Sequence, residues 1–230
     1  MTIREKNLSL LTQKEVWQSR NFKLINKTFM KRILHLKSSL LGTESYSIKL
    51  GNAIIEKIQE KYPDSELEEL NLVDIKMPHL TPAVLRTFFI PKDKLNEEEK
   101  EAISLSDGLI KQLFGADIIV IGAPLINFTI HTSLKAWIDH ITRPGITFGY
   151  GEDGLPIGMV TGKKVYVAMS SGGIYSEGIG KANDFVAPYL KAFLGFLGMT
   201  DLTVFRAEGL KVPDVKEHAM AKAVDSIQID

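Results

Sequence analysis

Three short runs of this chain place hydroxyls, glycines and an amide where the backbone has to turn. Ser38-Ser39 leads to Ser45-Tyr46-Ser47; Leu125-Ile126-Asn127-Phe128 and Ser170-Ser171-Gly172-Gly173 each follow an apolar run. Hydroxyls and free N–H groups at a helix start, with the positive end of the dipole behind them, suit an anion such as phosphate. Asn127 carries a side-chain donor and acceptor, and paired glycines let backbone approach a flat ligand closely. Each run also has a plain structural reading. Ser45 or Ser47 would serve as an N-cap, Asn127 would cap the helix after it, and Gly172-Gly173 would make a tight turn. The chemistry holds only if the three runs meet.

The elements around them say that they should. Ile118 to Ile121, closed by Gly122, is a short apolar run of the kind buried on both faces of a parallel sheet. Leu134, Trp137, Ile138 and Ile141 then recur at helical spacing, which makes the segment strand, turn, helix. Ile33, Leu34 and Leu36 form a first strand, and Leu67, Leu70 and Leu72 suggest a second. Val165 to Met169 gives a fourth, and Leu202, Val204 and Phe205 a fifth. Between them lie a helix with Leu50, Ile54, Ile58 and Tyr62 on one face, stopped by Pro63, and a short helix around Val84 to Phe89. A long helix follows, started by Asn96 with Glu99, carrying Ile103, Ser106, Ile110 and Leu113 inward and ended by Gly115. Two more helices run from Ala187 to Leu197 and from Val215 to Ile227. Five glycines and two prolines between Arg143 and Gly162 mark a long loop or small hairpin. The alternation predicts an α/β fold: a flavodoxin-like, doubly wound five-stranded parallel sheet with helices on both faces.

Composition bounds the function. The 230 residues, 44% of them hydrophobic, suffice for one full core, and 28 basic against 28 acidic residues create no overall field for nucleic acid or membrane. No cysteine is present, which removes thiol nucleophiles and thiolate metal sites and is compatible with a reducing, cytoplasmic setting. Residues 1–29 stand apart with six Lys or Arg against two acids, and read as a loosely held extension or as residues upstream of a true start at Met30. Residues 30–230 make the single domain. Several motifs are rejected. Gly158 to Lys164 is one residue short of a P-loop, lacks its final hydroxyl and precedes a strand. No dinucleotide glycine pattern follows the first strand, and no nucleophile elbow exists. His131 and His140 do not share a helix face and read as surface or interface residues rather than metal ligands.

In this fold the first, third and fourth strands are neighbours, so their carboxyl tips converge. Phosphate at one tip and a planar ring against the other two describe flavin mononucleotide, FMN. Over residues 30–230 the sequence also resembles the FMN-dependent NADH-azoreductases, which are also quinone reductases. The resemblance rests on Leu36-Lys37-Ser38-Ser39, Ala123 to Phe128, Thr161-Gly162-Lys163-Lys164 and Ser170 to Ile174. It implies that Ser39, Ser45, Tyr46 and Ser47 hold the phosphate and ribityl chain. Leu125, Ile126, Asn127 and Phe128, with Ser170, Ser171, Gly172 and Gly173, would flank the ring. The family often carries tyrosine at Ile126 and arginine at Ser171. The resemblance further implies NADH as donor, quinones or azo compounds as acceptors, a ping-pong order, and a homodimer with sites at the interface. No side chain need act as acid, base or nucleophile, because the cofactor carries the chemistry. Phe128, Phe148 and Tyr150 are candidates to line the substrate slot, with core packing as the other reading. A non-enzymatic, flavodoxin-type electron carrier is the alternative, and the 143–162 insertion argues against it, since a carrier needs an exposed flavin edge rather than a walled pocket.

Overall fold

Apolar runs become strands here because helices are available to cover both of their faces. The computed structural model describes residues 30–75 and 77–230, so the expectation for residues 1–29 lies outside the described residues. Numbered in chain order, β1 (Arg32–Lys37), β2 (Glu66–Asn71) and β3 (Ile118–Pro124) precede a hairpin of β4 (Phe148–Tyr150) and β5 (Pro156–Gly158). Then come β6 (Lys164–Ser170) and β7 (Asp201–Ala207). The helices are α1 (Tyr46–Lys61), α2 (Pro82–Thr87), α3 (Glu97–Gly115), α4 (Thr132–Ile141), α5 (Ala187–Phe196) and α6 (Lys216–Asp225). The sheet is wholly parallel in the order β2-β1-β3-β6-β7, the expected flavodoxin-like winding, with its switch point between β1 and β3.

Alternation along each strand sorts the core into two layers. Ile33, Ile118, Val120, Tyr166 and Ala168 pack with Leu50, Ile54 and Ile58 of α1 and Ala223 of α6. Leu34, Leu36, Ile119, Ile121, Val165 and Val167 pack with α3, α4 and α5, where Trp137 and Leu190 are fully enclosed. Asn96 and Glu99 form a reciprocal capping box, each side chain accepting from the other's N–H at 2.9 Å.

Four expectations shift. Leu72 lies in the turn after β2, buried, with its N–H donated to the Lys37 carbonyl at 2.9 Å. Helix α3 includes Gly115 and ends on extended Ala116, so no left-handed glycine stops it. His140 is buried rather than on the surface: its Nε2 lies 3.0 Å from the Pro78 carbonyl, which ties the Pro-rich excursion to α4. The β4–β5 hairpin packs away from the strand tips. Phe148 is buried 4.8 Å from Phe196 of α5, and the Val160 N–H donates to the Leu197 carbonyl at 2.8 Å.

One ionisable group sits fully inside the sheet. His35 of β1 is enclosed, and helix α1 passes so close that a Cβ at Gly51 would come 2.6 Å from its Nε2. Burial first, and then the neighbouring Lys37 ammonium, push the imidazole down to about 4, against the pull of Glu69. Glu69, held by Lys37 at 2.6 Å, keeps its carboxylate below the usual range through that hydrogen bond. The unfolded chain takes up a proton on His35 near pH 6.5 and the folded chain only near 4, so acid draws the protein toward the unfolded state across that window. The His35 contribution is on the order of 3 kcal/mol lost from pH 7 to below 4. Urea unfolding at stepped pH should show this loss in the wild type and a markedly smaller one in His35→Leu; equal slopes would place its origin elsewhere.

Candidate functional site

Beyond β1 the chain enters a serine-rich loop that wraps onto α1. Ser38 is spent structurally: its hydroxyl donates to the Gly122 carbonyl at 2.7 Å, buried between β1 and β3. The Ser39 hydroxyl accepts the Leu41 N–H at 3.3 Å. Ser45 is the N-cap of α1, accepting from the Ile48 N–H at 3.5 Å, and its hydroxyl lies 3.0 Å from that of fully buried Ser47. The capping reading of Ser45 is therefore right, yet it leaves the helix start open. The Tyr46 and Ser47 N–H groups donate no hydrogen bond among the described residues, and they stand at the positive end of a 16-residue helix.

The turn after β3 is tighter than its sequence suggests. Ile126 and Thr129 exchange both backbone hydrogen bonds, at 2.9 and 3.0 Å, around a two-residue loop. Both central residues are left-handed, Asn127 at φ 49° and Phe128 at φ 70°. That is the type I′ geometry, which asparagine tolerates and a bulky aromatic resists. Asn127 is not the cap of α4; His131 is, its Nδ1 accepting from the Ser133 N–H at 3.2 Å. Burial lowers the His131 pKa, in keeping with a ring nitrogen that stays an acceptor. Phe128 is held from the far side. Its carbonyl accepts the Phe185 N–H at 3.1 Å, and its ring meets Tyr175 edge-on at 6.2 Å. Next to Phe185, Asp184 caps the start of α5 and takes Arg206 of β7 at 2.6 Å.

The β6 tip is stitched to the chain after β7. Ser171 donates its N–H to Ala207 at 3.0 Å and its hydroxyl to the Gly173 carbonyl at 2.8 Å; Lys211 returns its N–H to the Gly172 carbonyl at 2.8 Å. Across the sheet, the Leu125 N–H donates to the Ser170 carbonyl at 2.8 Å, which locks the β3 and β6 tips side by side. The N–H groups of Asn127, Phe128, Gly172 and Gly173 donate no hydrogen bond among the described residues.

These tips enclose a cleft of about 380 Å³. Eight of the residues singled out in the sequence line it: Ser39, Ser45, Tyr46, Leu125, Ile126, Ser170, Ser171 and Gly172. Asn127, Phe128 and Gly173 stand beyond its lining, and the Ser47 side chain is sealed beneath it. Phe148 and Tyr150 are not part of it. Sequence reasoning missed Leu40, Leu41, Pro124, Leu210 and Lys211. Leu40 and Leu41 were detectable as apolar residues in a loop; Leu210 and Lys211 carried no signal, since only the β6–β7 pairing brings them in. Three larger clefts, of about 590, 550 and 440 Å³, lie at the amino end of β1, along α6 and at the amino ends of β3 and β6, and none joins the carboxyl tips of β1, β3 and β6. Among the described residues no group of three His, Asp or Glu is disposed to hold a metal.

Free N–H groups, hydroxyls and an apolar floor at three adjacent carboxyl tips define a nucleotide-binding domain of the doubly wound class. A family model described as flavodoxin-like fold matches residues 31–229. An FMN-dependent NADH:quinone oxidoreductase of Herminiimonas arsenicoxydans is 42% identical over 199 residues, 86% of this chain and 97% of its own. Among solved structures, an azoreductase from Bacillus anthracis strain Sterne superposes with TM-score 0.79 at 30% identity, covering 85% of this chain and 96% of the other. An FMN-dependent NADH-azoreductase from Bacillus anthracis strain Ames Ancestor, in complex with FMN, gives 0.73 at 28% identity, with 85% and 97% covered. The chain belongs to this family of FMN-dependent NADH:quinone oxidoreductases and azoreductases.

The left-handed turn makes a prediction of its own. Asn127→Gly keeps the backbone at its φ freely, whereas Asn127→Ala keeps the Cβ and loses the local hydrogen bonding of asparagine. The alanine variant should be less stable than the glycine variant by about 1 kcal/mol in urea unfolding. Equal stabilities would mean that the turn is not held left-handed in solution.

Proposed function

We propose that the protein is an FMN-dependent oxidoreductase that takes electrons from NADH and delivers them to quinones and, by reductive cleavage, to aromatic azo compounds. The observation that carries this is one cleft at three neighbouring strand tips, where serine hydroxyls meet residues with unused N–H groups, Tyr46 and Gly172, with four more such groups in the adjoining turns. They fit FMN in kind. The Tyr46 and Ser47 N–H groups at the α1 start, with Ser39 and Ser45, suit the phosphate and ribityl hydroxyls. The Asn127, Phe128, Gly172 and Gly173 N–H groups suit the carbonyl-rich edge of the ring, and Pro124, Leu125 and Ile126 supply an apolar wall against its face.

When bound, FMN supplies the two-electron transfer, and the protein's part is to bind, orient and keep water out. No carboxylate or histidine lines the cleft, which fits a reaction whose chemistry the cofactor carries. Among the described residues the carboxyl tips of β1, β3 and β6 share one cleft, which supports donor and acceptor using it in turn. We further infer a cytoplasmic homodimer. Tyr150, Leu155, Ile157 and Met159 leave an apolar patch on the β4–β5 hairpin, from 45% to 69% exposed, that a second copy would cover. The hairpin does not wall the cleft of its own chain, so shape does not speak against an electron carrier; the oxidoreductase relatives do.

Two measurements test the reading. The purified protein should bind FMN more tightly than riboflavin, because the α1 start is complementary to the phosphate; equal affinities in an equilibrium titration would refute that site. Initial rates with NADH and a quinone should give parallel double-reciprocal lines, and NADH alone should bleach the bound flavin anaerobically. Intersecting lines, with bleaching only after the acceptor is added, would require a ternary complex and a second site.

A further inference from the structure

Lys211 is the only lysine, arginine, histidine or carboxylate lining the cleft; the other twelve residues are serines, apolar residues, one glycine and Tyr46. Two features pin it there. Its N–H donates to the Gly172 carbonyl, and its aliphatic stem lies along Gly172 so closely that a Cβ there would come 3.2 Å from Cδ and 3.3 Å from Cγ. Gly172 is thus the residue that lets the lysine lie flat on the β6 tip. The ammonium makes no hydrogen bond or ion pair among the described residues. Of the two acids three positions away, Glu208 is occupied by the Tyr175 and Ser176 N–H groups, at 2.9 and 3.0 Å, and by the Ser176 hydroxyl, and Asp214 forms no ion pair with the lysine among the described residues.

Position decides what this charge can serve. The Lys211 stem lies along Gly172, in the run that the reading above sets against the ring, and its N–H is tied to that same residue. The charge therefore stands at the Gly172 side of the cleft, and the ring is the part of the ligand it would face.

We propose that Lys211 sets the redox preference of the cleft, holding the reduced cofactor more tightly than the oxidised one. This rests on the FMN reading above. The nicotinamide donor gives up two electrons with one proton, so a neutral ring gains one negative charge unless it takes a second proton from water. A cation fixed beside that ring, in a cleft that offers no carboxylate to neutralise it, favours the charged form. Lys211 is therefore a positioning charge for the cofactor, distinct from the groups that hold its phosphate.

The test compares wild type with Lys211→Met, which keeps the stem, and Lys211→Arg, which keeps the charge. The midpoint potential of bound FMN is read by anaerobic spectral titration against a reference dye, and the affinity for oxidised FMN by fluorescence quenching. In Lys211→Met the affinity for oxidised FMN should change by less than about threefold. The affinity for the reduced form should fall about tenfold, which lowers a two-electron potential by about 30 mV. Lys211→Arg should restore the wild-type potential, and the gap between wild type and methionine should narrow at about 1 M salt, where the screening length falls to about 3 Å. An unmoved potential in Lys211→Met overturns the inference. A raised KM for NADH with the potential unmoved overturns it too, and assigns the cation to the dinucleotide. Wild-type protein that binds no FMN overturns the underlying reading and this one with it, whereas wild type that binds FMN isolates the lysine.

Discussion

Every residue of β3 from Ile118 to Ala123 is buried, with helices on both faces and a parallel strand on each edge. A strand in that position has no spare backbone group until its last residue, because a buried N–H or carbonyl without a partner is costly. Polar chemistry is therefore pushed to its carboxyl tip, past Pro124. Parallel pairing imposes the same on β1 and β6, so three tips open at one edge. The bond from Ser38 to the Gly122 carbonyl and the bond from Leu125 to Ser170 hold them in line. The cleft follows from burying an apolar strand, and the polar residues placed there inherit its rigidity.

This explains what could be read from the sequence. The buried strands and amphipathic helices carry strong periodicity, so the winding, the sheet order and eight lining residues were legible. Boundaries drifted where the periodic signal is weak: β2 is an edge strand whose first four residues are exposed, and Leu72 belongs to the turn beyond it. Loops have no period. Nothing local in the sequence marks Lys211 as a neighbour of Gly172; the β6–β7 register does. The 143–162 segment was readable as a hairpin, but its packing against the end of α5 depends on Phe148 meeting Phe196, a contact between residues 48 positions apart. Asn127 looked most like a helix cap because the positive φ of Phe128 is an improbable conformation for its residue type.

The distribution of perturbed charge separates structure from function. Displaced pKa values often mark active sites, since chemistry needs tuned acids and bases. Here the strongest lowering of a buried group is at His35, between β1 and α1 and outside the cleft lining, and it arises from burial within a structural trio with Lys37 and Glu69. The cleft itself holds no buried acid or base. That contrast fits a cofactor-driven reaction, in which the protein supplies shape and hydrogen-bond donors, and a titrating group beside the ring would couple its potential to pH.

The turn at Asn127 and Phe128 shows how that shape is maintained. A left-handed phenylalanine is unfavourable by about 1–2 kcal/mol, so something must hold it. The Ile126–Thr129 pair closes the turn, but hydrogen bonds of that kind would form equally well around a glycine. What is specific is the outer grip. The Phe185 N–H binds the Phe128 carbonyl, Asp184 beside it caps α5, and Arg206 reaches from β7 to fix Asp184, which is 8% exposed. The tip of β3 is thus braced by β7, two strands away, through the start of α5. Neither the Asn127 nor the Phe128 N–H donates a hydrogen bond among the described residues. The fold sustains the left-handed Phe128 through this brace, in which the Arg206–Asp184 pair holds the residue next to its hydrogen-bond partner.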